Sequence, residues 1–170
     1  MNLKKTLSTL FLFALATAIS FAQEKASPAK VAEGTAGGAK ITINYSSPAV
    51  KGRMIWGDLV PLGQVWRAGA NEATTFTTSK DILVEGQKLP AGTYSFFIIP
   101  NEGTSTMIFN KVAQQWGAFN YDSKEDQLRV NVPSQQTSTM EERLVYEVKP
   151  DRFEIRWEYG KAEAKIAPAN

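Results

Sequence analysis

One stretch of the sequence gathers side chains capable of recognition chemistry. Val65-Trp66-Arg67-Ala68-Gly69-Ala70-Asn71-Glu72-Ala73-Thr74-Thr75 sets an indole, a guanidinium, a carboxamide and a carboxylate within a few residues. An arginine fork can clamp a carboxylate or a vicinal diol. Asn71 offers both a donor and an acceptor, and Glu72 can accept a ligand hydroxyl or serve as a general base. The same residues also suit a self-contained loop, with Arg67 ion-paired to Glu72 and Asn71 in a left-handed turn. Upstream, Lys51-Gly52-Arg53-Met54-Ile55-Trp56-Gly57 adds Arg53 and Trp56, and downstream Gln115-Trp116-Gly117 adds a further indole. The candidate ligand site is therefore Arg53, Trp56, Trp66, Arg67, Asn71, Glu72 and Trp116. Indoles beside polar groups would stack on sugar rings or aromatic ligand groups. Indoles in a domain of this size also fill cores, so about two of Trp56, Trp66 and Trp116 are expected to be mainly buried.

Composition removes much other chemistry. The chain has no His, which excludes Ser–His and Cys–His nucleophiles, imidazole acid–base catalysis and the common zinc sites. A hydrolase would have to run on carboxylates, with Glu72 joined to a distant acid such as Asp58 or Asp122. Glycoside chemistry needs that pair about 5 Å apart for retention, or roughly 6.5–9.5 Å for inversion. The run Asp122-Ser123-Lys124-Glu125-Asp126 lacks the alternating acids and central Gly of a calcium loop and reads as a solvated turn. No metal or cofactor is expected.

The elements that would position these residues begin after an address. Lys4 and Lys5 precede an apolar run from Leu7 to Phe21, and Ser20 and Ala22 place small residues ahead of Gln23. About 15 apolar residues fall short of the roughly 20 that a spanning helix needs. Residues 1–22 thus read as a cleavable secretory signal, and the protein as periplasmic or extracellular. Without Lys4 and Lys5 the remaining chain is formally neutral. That charge balance disfavours nucleic acid and anionic membrane surfaces as partners. Cys is also absent, so stability must come from the core rather than from disulfides.

Residues 23–38 form a lead-in in which Pro28 to Ala32 suits a sheet edge. Residues 39–167 form the domain. Ile41, Ile43 and Tyr45 alternate with polar residues, and an irregular connection follows from Ala49 to Gly63, under which Trp56, Leu59 and Leu62 are expected to tuck. Thr74–Thr78 is a strand, and Ile82–Val84 and Gln87–Leu89 face each other across Glu85-Gly86 as a tight hairpin. Tyr94 to Ile99 is apolar on both faces, the mark of a strand covered on both sides. Strands are also expected at Thr106–Asn110, Leu128–Val132, Leu144–Val148, Phe153–Tyr159 and Ala162–Ile166, with a turn at most in Ser138–Arg143. In the run beginning at Phe153, Phe153, Ile155, Trp157 and Tyr159 face one way, and Arg152, Glu154, Arg156 and Glu158 face water. No helical period is present. Many short strands with regular turn signals predict an all-β fold, a single antiparallel sandwich or jelly-roll-like domain with one long irregular loop.

Tyr45-Ser46-Ser47-Pro48, Lys51-Gly52-Arg53, Ile55-Trp56-Gly57, Val60-Pro61 and above all Trp66-Arg67-Ala68-Gly69-Ala70-Asn71-Glu72-Ala73-Thr74 resemble the exported bacterial family called domain of unknown function 2911. Leu89–Tyr94 and Trp116-Gly117 fit it as well. Ser47 departs from it, standing where many relatives are expected to carry Arg, which would take one charge from the proposed site. The resemblance implies export and a β-rich domain, and it brings no catalytic residues. Three functions follow. The leading one is a non-catalytic binding module for a small polar molecule, glycan or peptide. The others are a carboxylate-dependent hydrolase using Glu72 and a structural envelope component. No oligomeric state is specified by the sequence.

Overall fold

The computed structural model of the chain describes residues 26–169, so the expected signal at residues 1–22 lies outside the described residues. Nine antiparallel strands make one open sheet: β1 (Ala29–Ala36), β2 (Ala39–Ser46), β3 (Thr74–Thr78), β4 (Ile82–Val84), β5 (Gln87–Leu89), β6 (Gly92–Ile99), β7 (Thr104–Asn110), β8 (Asp126–Lys149) and β9 (Arg152–Pro168). Their order across the sheet is β1-β2-β3-β6-β7-β8-β9-β4-β5. The fold is all-β and sandwich-like, as expected. Among the described residues the one helical piece is a 3-10 turn, Ser123–Glu125, capped by the Asp122 carboxylate.

The sheet becomes two layers because β8 changes partner along its length. Its first part pairs with β7, Thr104 opposite Pro133, and its second part pairs with β9, Ser134 opposite Ala162. The inner faces then meet ring to ring. Phe153 of β9 lies 5.1 Å from Phe76, 5.6 Å from Phe96 and 6.4 Å from Phe109, all on the opposite layer. These rings sit in one continuous cluster that also takes in Ile41, Ile43, Tyr146 and Trp157. Their burial supplies most of the driving force, since a core aromatic removes 150–250 Å² from water.

The β4–β5 hairpin has the predicted register, Ile82 opposite Leu89 and Val84 opposite Gln87. Glu85 and Gly86 both take positive φ, as a primed two-residue turn requires. Strand β6 is covered on both faces. Phe96 and Ile98 enter the main core, while Phe97 joins Ile108 and Ala73 in a second cluster under Val65, Ala118 and Tyr121.

Four expectations are corrected. The strands at Leu128–Val132 and Leu144–Val148 are one strand, β8, with no turn at Ser138–Arg143. What the sequence signals there is a break in pairing: Gln136 faces Gly160 and Glu141 faces Glu158, so residues 137–140 bulge out. Opposite the bulge Glu158 adopts φ 53°, and this flips the phase of the alternation. Tyr159 is therefore 49% exposed, while Ala162, Ala164 and Ile166 resume the inward face. Glu154 is the third correction. It is buried rather than in water, because Lys149 (3.0 Å), Lys161 (3.5 Å) and Arg156 close over its carboxylate. The fourth concerns the long loop, where Ile55 and Val60 are the buried anchors and Leu59 and Leu62 are exposed. The hydrogen bonds Val60 N to Ile55 O (2.8 Å) and Gly57 N to Val60 O (2.9 Å) turn those two residues inward together.

Candidate functional site

The densest polar stretch folds mainly onto itself. Trp66 joins β6 through a pair of backbone hydrogen bonds to Ile98 (2.8 and 2.9 Å), so its indole points into the core, where its Nε1 donates to Gly69 O at 3.2 Å. Ala68 sits at φ 54°, and its carbonyl accepts from the Thr74 hydroxyl (2.9 Å) and the Tyr146 hydroxyl (2.7 Å). Burial raises the Tyr146 phenol well above its ordinary pKa, so it stays a donor. Gly69 is required by closeness: a Cβ there would stand 2.9 Å from Thr74 Oγ1. Asn71 takes the expected left-handed turn, φ 59°, and its carboxamide donates to Ser46 Oγ (3.2 Å) and Ser27 O (3.4 Å).

The other residues of this group scatter. Arg67 is half-buried with its Nε shielded from any acceptor, and desolvation lowers its pKa. Glu72 is exposed and pairs through its backbone with Trp116, which is 57% exposed. Arg53 folds its guanidinium back onto the carbonyls of Val50 (3.0 Å) and Ala49, bracing its own loop. Ser47, expected from the sequence to depart from its relatives, is fully buried. Its hydroxyl donates to Leu144 O at 2.7 Å, tying the end of β2 to β8, and it does not line the tryptophan cleft described below. Asp126, the last acid of the run 122–126, is engaged by Asn110 Nδ2 (2.8 Å), Tyr121 Oη (2.6 Å) and Arg129 Nε (2.6 Å). Burial first, and then the Asp126 carboxylate, push the Tyr121 phenol up to about 12.

Trp56 and Trp66 do come together, and with a partner from the far end of the chain. Trp157 of β9 stacks on Trp66 at 5.9 Å with 17° between planes, and Trp56 sets its ring nearly perpendicular to both, at 5.8 and 6.2 Å. These three indoles form the inner wall of a cleft of about 470 Å³ at one end of the sandwich. Leu62 of the long loop lines it on one side, the β6–β7 turn (Asn101, Glu102, Gly103) on another, and Gln135 and Gln136 of β8 with Lys161 of β9 close the rim. Its size lies within the range of small-molecule sites, which are typically apolar clefts with a few polar groups. Arg53, Arg67, Asn71, Glu72 and Trp116 do not line it.

Trp56 reaches this position because β9 has no side chain beneath it. A Cβ on Gly160 would stand 2.7 Å from both Trp56 Cε2 and Trp56 Nε1. Gly160 is also the residue that faces Gln136 at the edge of the β8 bulge, so the bulge and the indole seat are one structural event. The rim divides into spent and unspent groups. Ser134 Oγ donates to Asn101 O (2.8 Å) and meets Ser105 Oγ at 2.7 Å. Lys161 pairs with Glu163 (2.9 Å) and Glu154 (3.5 Å). The side chains of Gln135 and Gln136 are exposed and make no hydrogen bond among the described residues. Sequence reading missed Gln135, Gln136, Asn101, Gly160 and Lys161. The available signal was the polar pair Gln135-Gln136 where the apolar alternation of Leu128–Val132 stops, and the Gly that interrupts β9.

The molecule is thus an all-β, sandwich-like domain with a tryptophan-walled cleft at one end. A family model described as "Protein of unknown function (DUF2911)" matches residues 27–166, and the chain belongs to that family. No curated protein and no solved structure matches it.

Proposed function

We propose that this protein is a non-catalytic binding module, exported to the periplasm or beyond the cell after cleavage ahead of Gln23, and that the tryptophan cleft is its site for a small polar ligand, a glycan or a peptide. The observation that carries this reading is the convergence of Trp56, Trp66 and Trp157 on one cleft of about 470 Å³ rimmed by carboxamides. Recognition sites on β-sandwiches sit in such loop-framed ends. Hydrolysis by Glu72 has less support, since Glu72 lies off the cleft. Among the described residues lining the cleft the one carboxylate is Glu102, where glycoside chemistry takes a pair. A thermal-shift screen of saccharides, peptides and small acids tests the proposal. A ligand raises the melting temperature of the wild type and not of Trp56→Ala. Stabilisation that persists in Trp56→Ala places the site elsewhere.

An assembly role rests on a separate observation. Trp116 and Phe119, 57% and 83% exposed, project from the loop whose Trp116 bridges to Glu72. Sedimentation that is independent of concentration, and unchanged in Trp116→Ser with Phe119→Ser, removes self-association as their purpose.

A further inference from the structure

We infer that the ligand of the cleft is an uncharged saccharide, an inference that rests on the binding reading above and narrows it. A cleft for a carboxylate or phosphate needs a cation with charge to spare. Among the described lining residues the cation is Lys161, and two carboxylates already hold it, Glu163 at 2.9 Å and Glu154 at 3.5 Å. A cationic ligand would find a single carboxylate among the described lining residues, Glu102, and that acid is exposed, so water screens its pull.

A peptide docking on a sheet takes main-chain hydrogen bonds from a free strand edge. Among the described residues, the strand segments that line this cleft are already paired. Ser134, Gln135 and Gln136 of β8 are paired with Ala162, Lys161 and Gly160 of β9, and Trp66 and Ile98 are bonded to each other in both directions. What the cleft does supply is an aromatic wall and side-chain carboxamides, each a donor and an acceptor at once. A pyranose has the matching surface, with apolar C–H faces that pack on an indole and hydroxyls at its edge that both give and accept hydrogen bonds. Trp56 is the stacking residue, because it is the partly exposed member of the three while Trp66 and Trp157 are buried. Gln135 and Gln136 are the specificity residues. Their backbones pair with β9, but their side chains are exposed and make no hydrogen bond among the described residues, so the side chains can be truncated without loss of structure.

The test applies the purified chain to an array of neutral and acidic glycans. Hits are then titrated by tryptophan fluorescence, alongside an extended peptide and citrate as competing chemistries. The expected result is binding of neutral glycans with a fluorescence change. Affinity falls by about tenfold or more in Trp56→Ala and by several-fold in Gln135→Ala/Gln136→Ala, whose melting temperature matches the wild type. Binding by the peptide or citrate alone, lost in the same variants, overturns the saccharide inference and leaves the binding module standing. Glycan binding unchanged in the glutamine variant overturns the inference as well. No binding by any probe removes both readings.

Discussion

Gly160→Ala should break the wall of the cleft, and its cost can be reasoned from distances. The new methyl would lie 2.7 Å from Trp56 Cε2 and Nε1 and 2.8 Å from Cζ2, closer than carbon atoms tolerate. Trp56 cannot retreat inward, because Trp66 and Trp157 stand against it at ring separations of 5.8 and 6.2 Å. Two relaxations remain. If β9 shifts to keep the indole seated, the strain is that of an overpacked core, about 1–3 kcal/mol. If the indole is expelled, the loss approaches that of truncating a packed Trp, about 3–5 kcal/mol, reduced because Trp56 is only half-buried. The first route is the less costly, so a loss of about 1–3 kcal/mol is expected. Urea denaturation followed by tryptophan fluorescence measures it, and a double-mutant cycle assigns it. With Trp56→Ala already present, Gly160→Ala should change stability by no more than about 0.5 kcal/mol, or improve it slightly by stiffening the unfolded chain. An equal cost in both backgrounds would refute the contact as the cause, and so would a neutral single variant.

Phe153→Ala, which removes the ring between three phenylalanines of the opposite layer, should cost about 3–5 kcal/mol by chemical denaturation. Arg156→Ala should cost about 1–2 kcal/mol rather than nothing. It uncovers the buried Glu154 yet leaves Lys149 and Lys161 on that carboxylate, so the loss falls between that of an exposed pair and that of a stranded charge. Trp116→Ala should stay within about 0.5 kcal/mol and Trp157→Ala should not, a contrast set by exposures of 57% and 2%. The Tyr121 phenol, held up to about 12 in the folded chain, keeps its proton after the unfolded phenol has lost it near 10. Its contribution to stability is therefore complete below pH 10 and disappears as the pH rises through 12, which alkaline unfolding of wild type against Tyr121→Phe would detect.

Much of the fold could be read from the sequence because it is written in short-range alternation. The β4–β5 hairpin and the two-faced burial of β6 follow from neighbouring residues alone. Long strands were harder. Nothing local says that Leu128 and Tyr146 belong to one strand, since the pairing that continues it comes from β9. Nor does anything local say that Glu158 would take a left-handed φ and send Tyr159 outward. The candidate site was half legible for the same reason. Trp56 and Trp66 stood out as aromatics among polar residues, yet Trp157, Gln135, Gln136 and Gly160 reach them from 69 to 104 residues further along the chain. The stretch 66–74 looked functional because it is dense in polar groups. Much of that density is spent on closing a loop, with Ala68 and Gly69 carbonyls as the acceptors and Trp66, Thr74 and Tyr146 as the donors.

The passage of β8 through both layers makes the two layers one cooperative unit. Neither can melt alone, because releasing β7 frees the first part of the strand that anchors β9 by its second part. Denaturation should then show one transition whichever layer's fluorophore is watched. Amide hydrogens of β8 that face β7 and β9 should exchange with solvent only through global opening. The bulged residues 137–140, whose amides have no place in that register, should exchange long before them. The cleft rim at Gln135 and Gln136 lies on that boundary, joined on one side to the slowest-opening part of the molecule and on the other to the fastest.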